Sequence, residues 1–317
     1  MTTPQLFTID HCHAGQRLDK ALGELVSGLG TRGAKRFAIN GQVTVNGKPS
    51  RPNNRLEEGD IIAFEETKIK ISTQARLLER DSNFLFLFKP RNMYCVSIPG
   101  SAAYSLEDFL PQILHDNKIS GEARLLQRLD YGTSGIVLAT TQHTEQNEFL
   151  ISQREGKCQK LYLALLSGLL HQQKIVKNAL ATDKRKKSKI LSKEAAPIRQ
   201  TIITPIQVWE KPADLSEEFS AFFTEKQVCE FAENGLTLAV CEIKKGARHQ
   251  IRAHAAHIGH PLAGDCLYNP GFSGETNFFL HQTRLSFNAH SCLCLPQWLP
   301  LSIKPATLNW IKEEYNF

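Results

Sequence analysis

Apolar positions near the N-terminus recur at the three- and four-residue spacing of a helix with one buried face. The members of this stripe are Leu18, Ala21, Leu22, Leu25 and Val26. The spacing predicts an amphipathic helix. Gly28 and Gly30 follow the stripe and predict the end of that helix.

A second and shorter helix is predicted directly after these glycines, with a basic outer face. The basic residues are Arg32, Lys35 and Arg36. Phe37 and Ile39 are expected to point inward, and Gly41 is expected to stop the helix.

The next segment predicts a β-hairpin. Val43–Val45 is a short β-prone run that enters the pair Asn46-Gly47, which is a strong local signal for a hairpin turn. A later Gly-Asp turn leads into a closing strand at 61–64. Together with the two helices, this pattern predicts a small α/β module over residues 13–68, in which a basic helix lies beside a hairpin.

From position 74 onward the pattern changes to apolar strands separated by helices. The strand candidates are Phe84–Phe88, Ile136–Ala139, Leu161–Leu166 and Leu236–Ile243. The helix candidates are Leu106–Asn117, Thr144–Arg154 and Gln250–Ile258. Because strands dominate, residues 74–317 are predicted to form one α+β domain on a mixed, largely antiparallel sheet.

Positive charge concentrates in one stretch of this domain, near residues 172–221. Its basic residues are Lys184, Arg185, Lys186, Lys187, Lys189 and Lys193. Such a run is usually a solvated surface, and in a protein that handles RNA it would also add non-specific affinity for phosphates. We expect a mobile insertion that carries no catalytic chemistry.

Composition narrows the class of protein. The chain has 317 residues, a formal net charge of +6 and eight cysteines without a Cys-x-x-Cys pair, so we expect reduced thiols in a cytoplasmic protein. No apolar run is long enough to span a bilayer and no secretory signal is visible, so no membrane association is expected. The modest positive excess permits a polyanionic partner.

One nucleotide-binding pattern in the sequence is discounted. Gly28, Gly30 and Gly33 satisfy the spacing of the dinucleotide fingerprint. That fingerprint has meaning only between a strand and a helix, whereas an amphipathic helix is predicted before it here. The phosphate-loop pattern that ends in Gly-Lys-Ser/Thr is also absent from the sequence.

Asp130 lies in a Gly- and Ser-containing segment immediately before a predicted buried strand. The segment 127–135 has the sequence Gln-Arg-Leu-Asp-Tyr-Gly-Thr-Ser-Gly. A loop of this kind can hold a carboxylate at a strand edge, facing a cleft. Aspartate in such a loop is also a common turn former, and Arg17-Leu18-Asp19 repeats the tripeptide, so the neighbouring residues must decide.

The N-terminal module resembles the S-four RNA-binding module, first seen in a ribosomal small-subunit protein. The matching segments are Arg17–Lys20, Lys35-Arg36, Gly41–Lys48 and Gly59-Asp60. The resemblance implies that Arg32, Lys35, Arg36 and Lys48 contact RNA phosphates. A solvated basic helix face is the alternative interpretation.

The larger domain resembles the RluA-type pseudouridine synthases. Five groups of segments match in the order expected for the family: Leu78–Asp81 with Phe88–Pro90, Arg128–Gly135, Lys160–Ala164, His249–His254 with His257–Asp265, and Phe279–His281. The match covers most of residues 77–290. It implies a catalytic domain of the pseudouridine-synthase fold.

This resemblance implies roles for five residues. Asp130 is the catalytic carboxylate, Arg252 pairs with it, and Tyr162 stacks on the target base with its hydroxyl available for the final proton removal. Leu280 packs against the other side of the base, and Arg128 fills the space that the extruded uridine leaves. From residue type alone, Tyr162 and Leu280 are also typical core residues, and Arg252 is also a typical phosphate contact.

The chemistry of pseudouridine formation accounts for these residue types. The bond from base to sugar breaks, the base turns, and it rejoins through carbon five, so nothing is added or lost and no cofactor is expected. An ionised carboxylate acts either as a nucleophile or as a base towards the sugar, and both routes remain open. A neighbouring cation such as Arg252 favours the ionised form of that carboxylate.

Four histidines lie close together, and they raise a metallohydrolase as a rival enzyme class. They are His249, His254, His257 and His260. The His-Glu-x-x-His arrangement of metallopeptidases is absent from the sequence. We therefore expect hydrogen-bonding and packing histidines and no metal.

Two positions depart from the usual pattern of the family. Gln127 stands where a histidine commonly precedes Arg-Leu-Asp, and Ala247-Arg248 stands where Arg-Thr is common. Arg248 would restore a cation one position along. These departures weaken any transfer of substrate identity from well-known members.

The expected partner is RNA, bound by a monomer. Within this family an added S-four module usually accompanies large-subunit ribosomal RNA, so ribosomal RNA is the first expected substrate and transfer RNA the second. A catalytically silent protein that only binds RNA is the rival from outside the enzymes.

Overall fold

The structure is a computed structural model that describes most of the chain. It describes residues 4–26, 29–39, 42–64, 75–98, 103–182, 187–269, 271–272, 277–300 and 302–315, without the side chains at 32 and 36. These residues form two compact units, Met1–Leu77 with Met93–Arg128 and Leu78–Asn92 with Leu129–Phe317. The predicted domain boundary, between 68 and 74, lies outside the described residues.

The first unit contains a four-stranded antiparallel sheet of strand order β1-β4-β2-β3. Its elements are β1 (Gln5–Thr8), α1 (Leu18–Leu25), α2 (Gly30–Ile39), β2 (Val43–Val45), β3 (Lys48–Pro49), β4 (Ile61–Phe64), α3 (Leu106–Asp116) and β7 (Arg124–Leu125). Leu18, Ala21 and Leu22 of α1 are fully buried in one core with Val43 and Phe64, as the helical spacing predicts.

The predicted hairpin is confirmed. Val45 pairs with Lys48, and the two residues between them, Asn46 and Gly47, both have positive φ angles, 52° and 76°. This is the backbone twist that a two-residue hairpin loop requires and that Asn-Gly favours. The Asn46 side chain also accepts a hydrogen bond from the backbone N–H of Ile61, so the turn is tied to β4.

Two details of the helix predictions are wrong. Gly30 begins α2 rather than ending α1, which stops at Leu25. Ile39 is 43% exposed, whereas Phe37 is buried. Two residues that are two positions apart in a helix point in directions about 200° apart around its axis, so these two side chains cannot both face the core. Gly28 and Gly41 lie outside the described residues.

The second unit is built on a mixed sheet with helices. Its strands are β5 (Arg76–Asp81), β6 (Phe84–Lys89), β8 (Ser134–Thr140), β9 (Gln159–Ser167), β10 (Lys174–Val176), β11 (Asn178–Ala181), β12 (Lys189–Glu194), β13 (Thr201–Trp209), β14 (Leu236–Ile243), β15 (Leu280–Phe287) and β16 (His290–Leu293). Its helices are α4 (His143–Arg154), α5 (Glu217–Ser220), α6 (Glu225–Asn234), α7 (Gln250–His257) and α8 (Lys304–Glu314), with short 3-10 helices at Pro197–Arg199 and Pro212–Asp214. In the described part of the chain, none of the helices combines the length and the apolar character needed to cross a membrane.

The sheet order is β10-β13-β14-β9-β15-β8-β6-β5, and β16 also pairs with β15. β8 and β15 run parallel, while β9, β13, β14 and β16 pair in antiparallel fashion with their neighbours. The prediction of an α+β fold on a largely antiparallel sheet is therefore confirmed.

The central strand β9 has both faces buried, which explains its continuous apolar sequence. Leu161, Leu163 and Leu165 belong to one hydrophobic cluster, whereas the alternate residues Tyr162 and Ala164 belong to another. Successive side chains of a strand point to opposite faces, so the alternation assigns Tyr162 to the second face. That second cluster also contains Ile251 of α7 and Leu280 of β15.

The basic stretch near 172–221 contains more regular structure than its composition suggests. β13 runs beside β14 in the main sheet, and Ile203 and Trp209 are buried. β11 and β12 form a separate antiparallel hairpin. These strands were not predicted, because the whole segment was interpreted from its basic run, which ends at Lys193, before β13 begins. Residues 183–186, with the first three basic residues of the run, lie outside the described residues.

Candidate active site

Asp130 lies in a tight turn that leads directly into β8. Its carbonyl accepts a hydrogen bond from the backbone N–H of Thr133, and its carboxylate is 24% exposed. Gly132 packs so closely against the ring of Phe278 that an added Cβ would lie 2.9 Å from it. Gly135 has a φ of +116°, and a Cβ there would lie 2.3 Å from the Gln282 carbonyl oxygen. The Gly-Thr-Ser-Gly sequence thus permits the close approach of this turn to neighbouring backbone.

A buried histidine supports the strand that follows this turn. His281 lies 2.9 Å from the Ser134 hydroxyl through Nδ1, and 2.8 Å from the Cys294 carbonyl through Nε2. A carbonyl only accepts, so Nε2 carries the proton and Nδ1 accepts from Ser134. Burial lowers the pKa of His281 to about 4. The imidazole is therefore neutral at physiological pH.

Lys89, at the end of β6, is fully buried beneath the same turn. Its ammonium donates to the carbonyl of Pro90 at 2.8 Å and lies 3.4 Å from the carbonyl of Tyr131. The second of these carbonyls follows Asp130 directly in the chain. Lys89 therefore restrains the backbone on the C-terminal side of the carboxylate.

Arg252, on α7, contacts two carboxylates. Its Nε and Nη2 donate to the two oxygens of Asp265 at 2.7 and 2.8 Å, in a bidentate pair. Its Nη1 lies 3.7 Å from Oδ2 of Asp130. The buried carboxylate of Asp265 thus fixes the guanidinium, and the remaining nitrogen faces the more exposed carboxylate.

Two aromatic rings complete the surroundings of Arg252. The guanidinium carbon lies 4.4 Å from the ring centroid of Phe278 and 5.2 Å from that of Tyr268. Burial by itself lowers the pKa of Arg252, but the hydrogen bonds and charge of Asp265 and the charge of Asp130 raise it overall. Arg252 is therefore a permanent cation beside Asp130.

The backbone is strained where α7 begins. His249, which precedes the helix, has a φ of +55°, a conformation that few non-glycine residues adopt. Its Nδ1 lies 3.1 Å from the hydroxyl of Tyr268. Burial lowers the pKa of His249, partly offset by the charge of Asp130, while Arg252 and Arg248 lower it further. Strain of this kind is often concentrated at functional sites.

Tyr162 and Leu280 lie in the same apolar cluster, on adjacent strands. Both side chains are almost fully buried, and Phe278, the ring that packs on Arg252, belongs to the same cluster. The hydroxyl of Tyr162 donates to Oε1 of Gln282 at 2.8 Å. The amide nitrogen of Gln282 is buried without a hydrogen-bond partner in the described structure.

The structure therefore brings together four of the residues that the sequence singled out. Asp130 and Arg252 face each other, and Tyr162 and Leu280 lie in the cluster against which Leu129, next to Asp130, also packs. Arg128 is the last residue of the first unit and is exposed. The catalytic and substrate-binding roles of these residues remain predictions.

The residues expected to bind RNA lie in the first unit. Lys35 on α2 and Lys48 on β3 are exposed. Arg32 and Arg36 belong to α2, and their side chains are outside the described part of the structure. The S-four resemblance and the phosphate contacts remain predictions.

Sequence reasoning missed the groups that position Arg252. Asp265 is the last residue of the matching segment His257–Asp265, where it follows Gly264, and the sequence assigned no role to it, to Phe278 or to Tyr268. The Gly-Asp pair next to the histidine-rich motif was the available signal for Asp265. Nothing in the local sequence distinguishes Phe278 from an ordinary core residue.

The histidine cluster forms hydrogen bonds. His254 contacts the Thr201 hydroxyl at 2.7 Å and the Asn178 carbonyl at 3.0 Å, and His260 lies 3.3 Å from the Ser167 carbonyl. Within the described ranges, no group of three or more His, Cys, Asp or Glu side chains is arranged to hold a metal ion.

Comparison with solved structures supports the fold. The human protein named RNA Pseudouridylate Synthase Domain Containing 4 superposes with a TM-score of 0.51 at 15% identity, covering 72% of this chain and 91% of that one. At this identity the likeness concerns the fold alone.

Sequence comparison identifies the family. Ribosomal large subunit pseudouridine synthase C of Escherichia coli (strain K12) is 28% identical over 303 residues, which are 86% of this chain and 85% of that protein. An uncharacterised RNA pseudouridine synthase of Bacillus subtilis (strain 168) is 26% identical over 289 residues, 86% of each chain. The family pattern described as RNA pseudouridylate synthase matches residues 83–257. The RluA-type resemblance is thus confirmed, and this chain belongs to the RNA pseudouridylate synthase family.

Proposed function

We propose that this enzyme isomerises uridine to pseudouridine in large-subunit ribosomal RNA, with Asp130 as the catalytic carboxylate. The observation that carries the proposal is the placement of Asp130. It is a partly exposed carboxylate 3.7 Å from a guanidinium that a second, fully buried carboxylate already holds. The pair therefore presents one negative group to a substrate while its cation stays fixed.

Electrostatics explain why this carboxylate would serve the reaction. The reacting group must be ionised when it attacks the sugar or removes a proton from it, and apolar surroundings disfavour that charge. Arg252 supplies a permanent positive charge whose position does not depend on substrate, because Asp265 and two aromatic rings hold it. Preorganised charge of this kind needs little rearrangement during reaction.

The apolar cluster beside the pair suits an extruded uracil base. Tyr162 supplies an aromatic face and Leu280 an aliphatic surface, on adjacent strands. Extruding a base from its stack costs a few kcal/mol, which apolar and stacking contacts offset. The Tyr162 hydroxyl, held by Gln282, is the proposed group for the final proton removal from carbon five.

Ribosomal RNA is the proposed substrate for two reasons. The relative at 28% identity carries the ribosomal large subunit in its name, and the match extends over 86% of this chain. The N-terminal unit also presents the exposed residues Lys35 and Lys48, which suit contacts with phosphates. Arg128 is proposed to fill the gap that the extruded uridine leaves.

The test is release of tritium from RNA labelled at carbon five of uracil. RNA from cells that lack this gene is separated into ribosomal and transfer fractions and incubated with the purified protein. We expect release from the large-subunit ribosomal fraction, at one or a few sites that pseudouridine mapping then locates. Release from transfer RNA alone would overturn the ribosomal assignment. Release from neither fraction would favour the alternative interpretation, that this protein binds RNA without catalysing a reaction.

A further inference from the structure

A cavity lies on α7, which also carries Arg252. Its volume is about 520 Å³, within the size range of pockets that bind small organic groups. Lys187 and Lys189 line it. Ala253 and Ala256 of α7 and the ring of Tyr268 also line it and supply apolar surface.

The chemistry of this cavity matches a nucleotide. Two ammonium groups suit a phosphate, and an aromatic ring with small aliphatic neighbours suits a sugar or a base. The lining residues that the structure describes include no carboxylate, so none of them repels an anion. The ammonium of Lys187 lies over the ring of Tyr268, 4.8 Å from its centroid, so positive charge and aromatic surface are in direct contact.

The lysines extend from a fixed point in the backbone. Ser188, between them, is buried, and its N–H donates to the hydroxyl of Tyr268 at 2.8 Å. Its own hydroxyl donates to the carbonyl of Arg248 at 2.7 Å. These hydrogen bonds hold the backbone in place. Both lysine side chains are exposed and extend from this fixed backbone. This arrangement differs from a solvated run of charge on a loop.

The cavity and the catalytic pair share structural elements. Tyr268 lines the cavity, and its ring also packs 5.2 Å from the guanidinium carbon of Arg252. Ala253 follows Arg252 directly on α7. A chain of RNA whose target uridine reaches Asp130 would therefore bring a neighbouring nucleotide close to this cavity.

We propose that this cavity binds the nucleotide adjacent to the target uridine in single-stranded RNA, with its phosphate between Lys187 and Lys189 and its base or sugar on Tyr268. The inference rests on the proposed function, because only an RNA substrate would place a nucleotide there. It gives a binding role to part of the segment that the sequence analysis left without chemistry.

The test compares two pairs of lysine substitutions by their effect on RNA binding. All variants carry Asp130→Asn, which prevents turnover, and the probe is a short fluorescein-labelled oligouridylate titrated at several salt concentrations. The test variant is Lys187→Ala with Lys189→Ala. The control is Lys174→Ala with Lys177→Ala, which removes the same charge from exposed positions of the same segment.

The salt dependence of binding should change in the test variant only. Neutralising one phosphate contributes about 0.7 to the slope of log K against log salt for single strands, so the slope should shrink by roughly 0.7 and affinity should fall on the order of tenfold. The control should keep the slope of the parent. Equal slopes and affinities for test variant and parent would overturn the proposal.

A second variant tests the apolar half of the cavity without changing charge. Ala256→Phe fills the space beside Tyr268 and should weaken oligouridylate binding on the order of tenfold while the salt slope stays unchanged. Unaltered affinity in this variant would also contradict the proposal. This test can fail independently of the proposed function. If the wild-type protein releases tritium but the lysine variants bind RNA normally, the cavity proposal is wrong and the proposed function still stands.

Discussion

The two sides of Arg252 differ in almost every physical respect. On the inner side, Asp265 is fully buried and makes two short hydrogen bonds with the guanidinium. On the outer side, Asp130 is partly exposed and makes a single longer contact of 3.7 Å. The inner side has the geometry of a structural ion pair, whereas the outer side leaves a carboxylate available to a substrate. The two aspartates that contact this arginine therefore differ in burial and in contact geometry.

The largest expected difference is in stability. Asp265→Asn should lower the free energy of unfolding by about 3–5 kcal/mol, because it leaves the buried guanidinium of Arg252 without its principal counter-charge. Asp130→Asn should lower it by less than about 1 kcal/mol, because that contact is longer and partly solvated. Urea unfolding near pH 7 measures both, with Asp116→Asn on the exposed surface of α3 as the control. Equal losses for the two variants would remove the distinction between the sides.

The free energy of unfolding is expected to depend on pH through His281, which supports the strand that follows Asp130. Burial lowers the pKa of His281 to about 4, whereas an unfolded histidine titrates near 6.5, so the unfolded state binds more protons between these values. The contribution of His281 to the free energy of unfolding is fully present above about pH 6.5. It falls by roughly 3 kcal/mol as the pH decreases towards 4. His281→Gln should flatten the fall in unfolding free energy between pH 7 and 4. The exposed His115→Gln should not, and a parallel profile for both variants would exclude a neutral His281.

Shape as well as charge should matter at Arg252. Arg252→Lys keeps a positive charge but cannot reproduce the bidentate pair with Asp265 or the packing between two rings. We expect kcat for tritium release to fall on the order of a hundredfold. The conservative Arg154→Lys on the exposed surface of α4 should leave kcat unchanged. Near-normal kcat in Arg252→Lys would mean that charge alone suffices.

The smallest effect is expected on the apolar side of the site, at Gln282. Gln282→Leu removes the acceptor for the Tyr162 hydroxyl and should lower kcat by up to about tenfold, the value of one hydrogen bond. If Gln282 acts only through that hydroxyl, the same change should have no further effect in a Tyr162→Phe background. Additive losses in this double-mutant cycle would show that Gln282 contributes in another way.

Much of the fold could be predicted from the sequence, because its elements have strong local patterns. β6, β9 and β14 are apolar runs of strand length, and the helical stripe of α1 begins and ends close to where it was expected. β13 was missed because the segment was interpreted from the basic run that precedes it, and because Pro205 interrupts its apolar pattern. Burial of β13 depends on its neighbour β14, which a local pattern does not reveal.

The site could be predicted only in part. Asp130, Arg252, Tyr162 and Leu280 were identified through motifs that resemble a family, and the structure places them near one another or in one cluster. The positioning groups were missed, because their importance comes from contacts made after folding. Asp265 lies thirteen positions from Arg252 in sequence, and no spacing rule predicts that it forms a bidentate pair with it.

The most direct test of the central claim is the rate of tritium release by Asp130→Asn in a single turnover. If Asp130 is the carboxylate that acts on the sugar, the rate should fall by at least roughly a thousandfold, since an amide cannot act as nucleophile or base there. Binding of the oligouridylate should change by less than about fivefold, because the fold and the phosphate contacts remain. A rate within about tenfold of the wild-type value would show that another group performs the reaction.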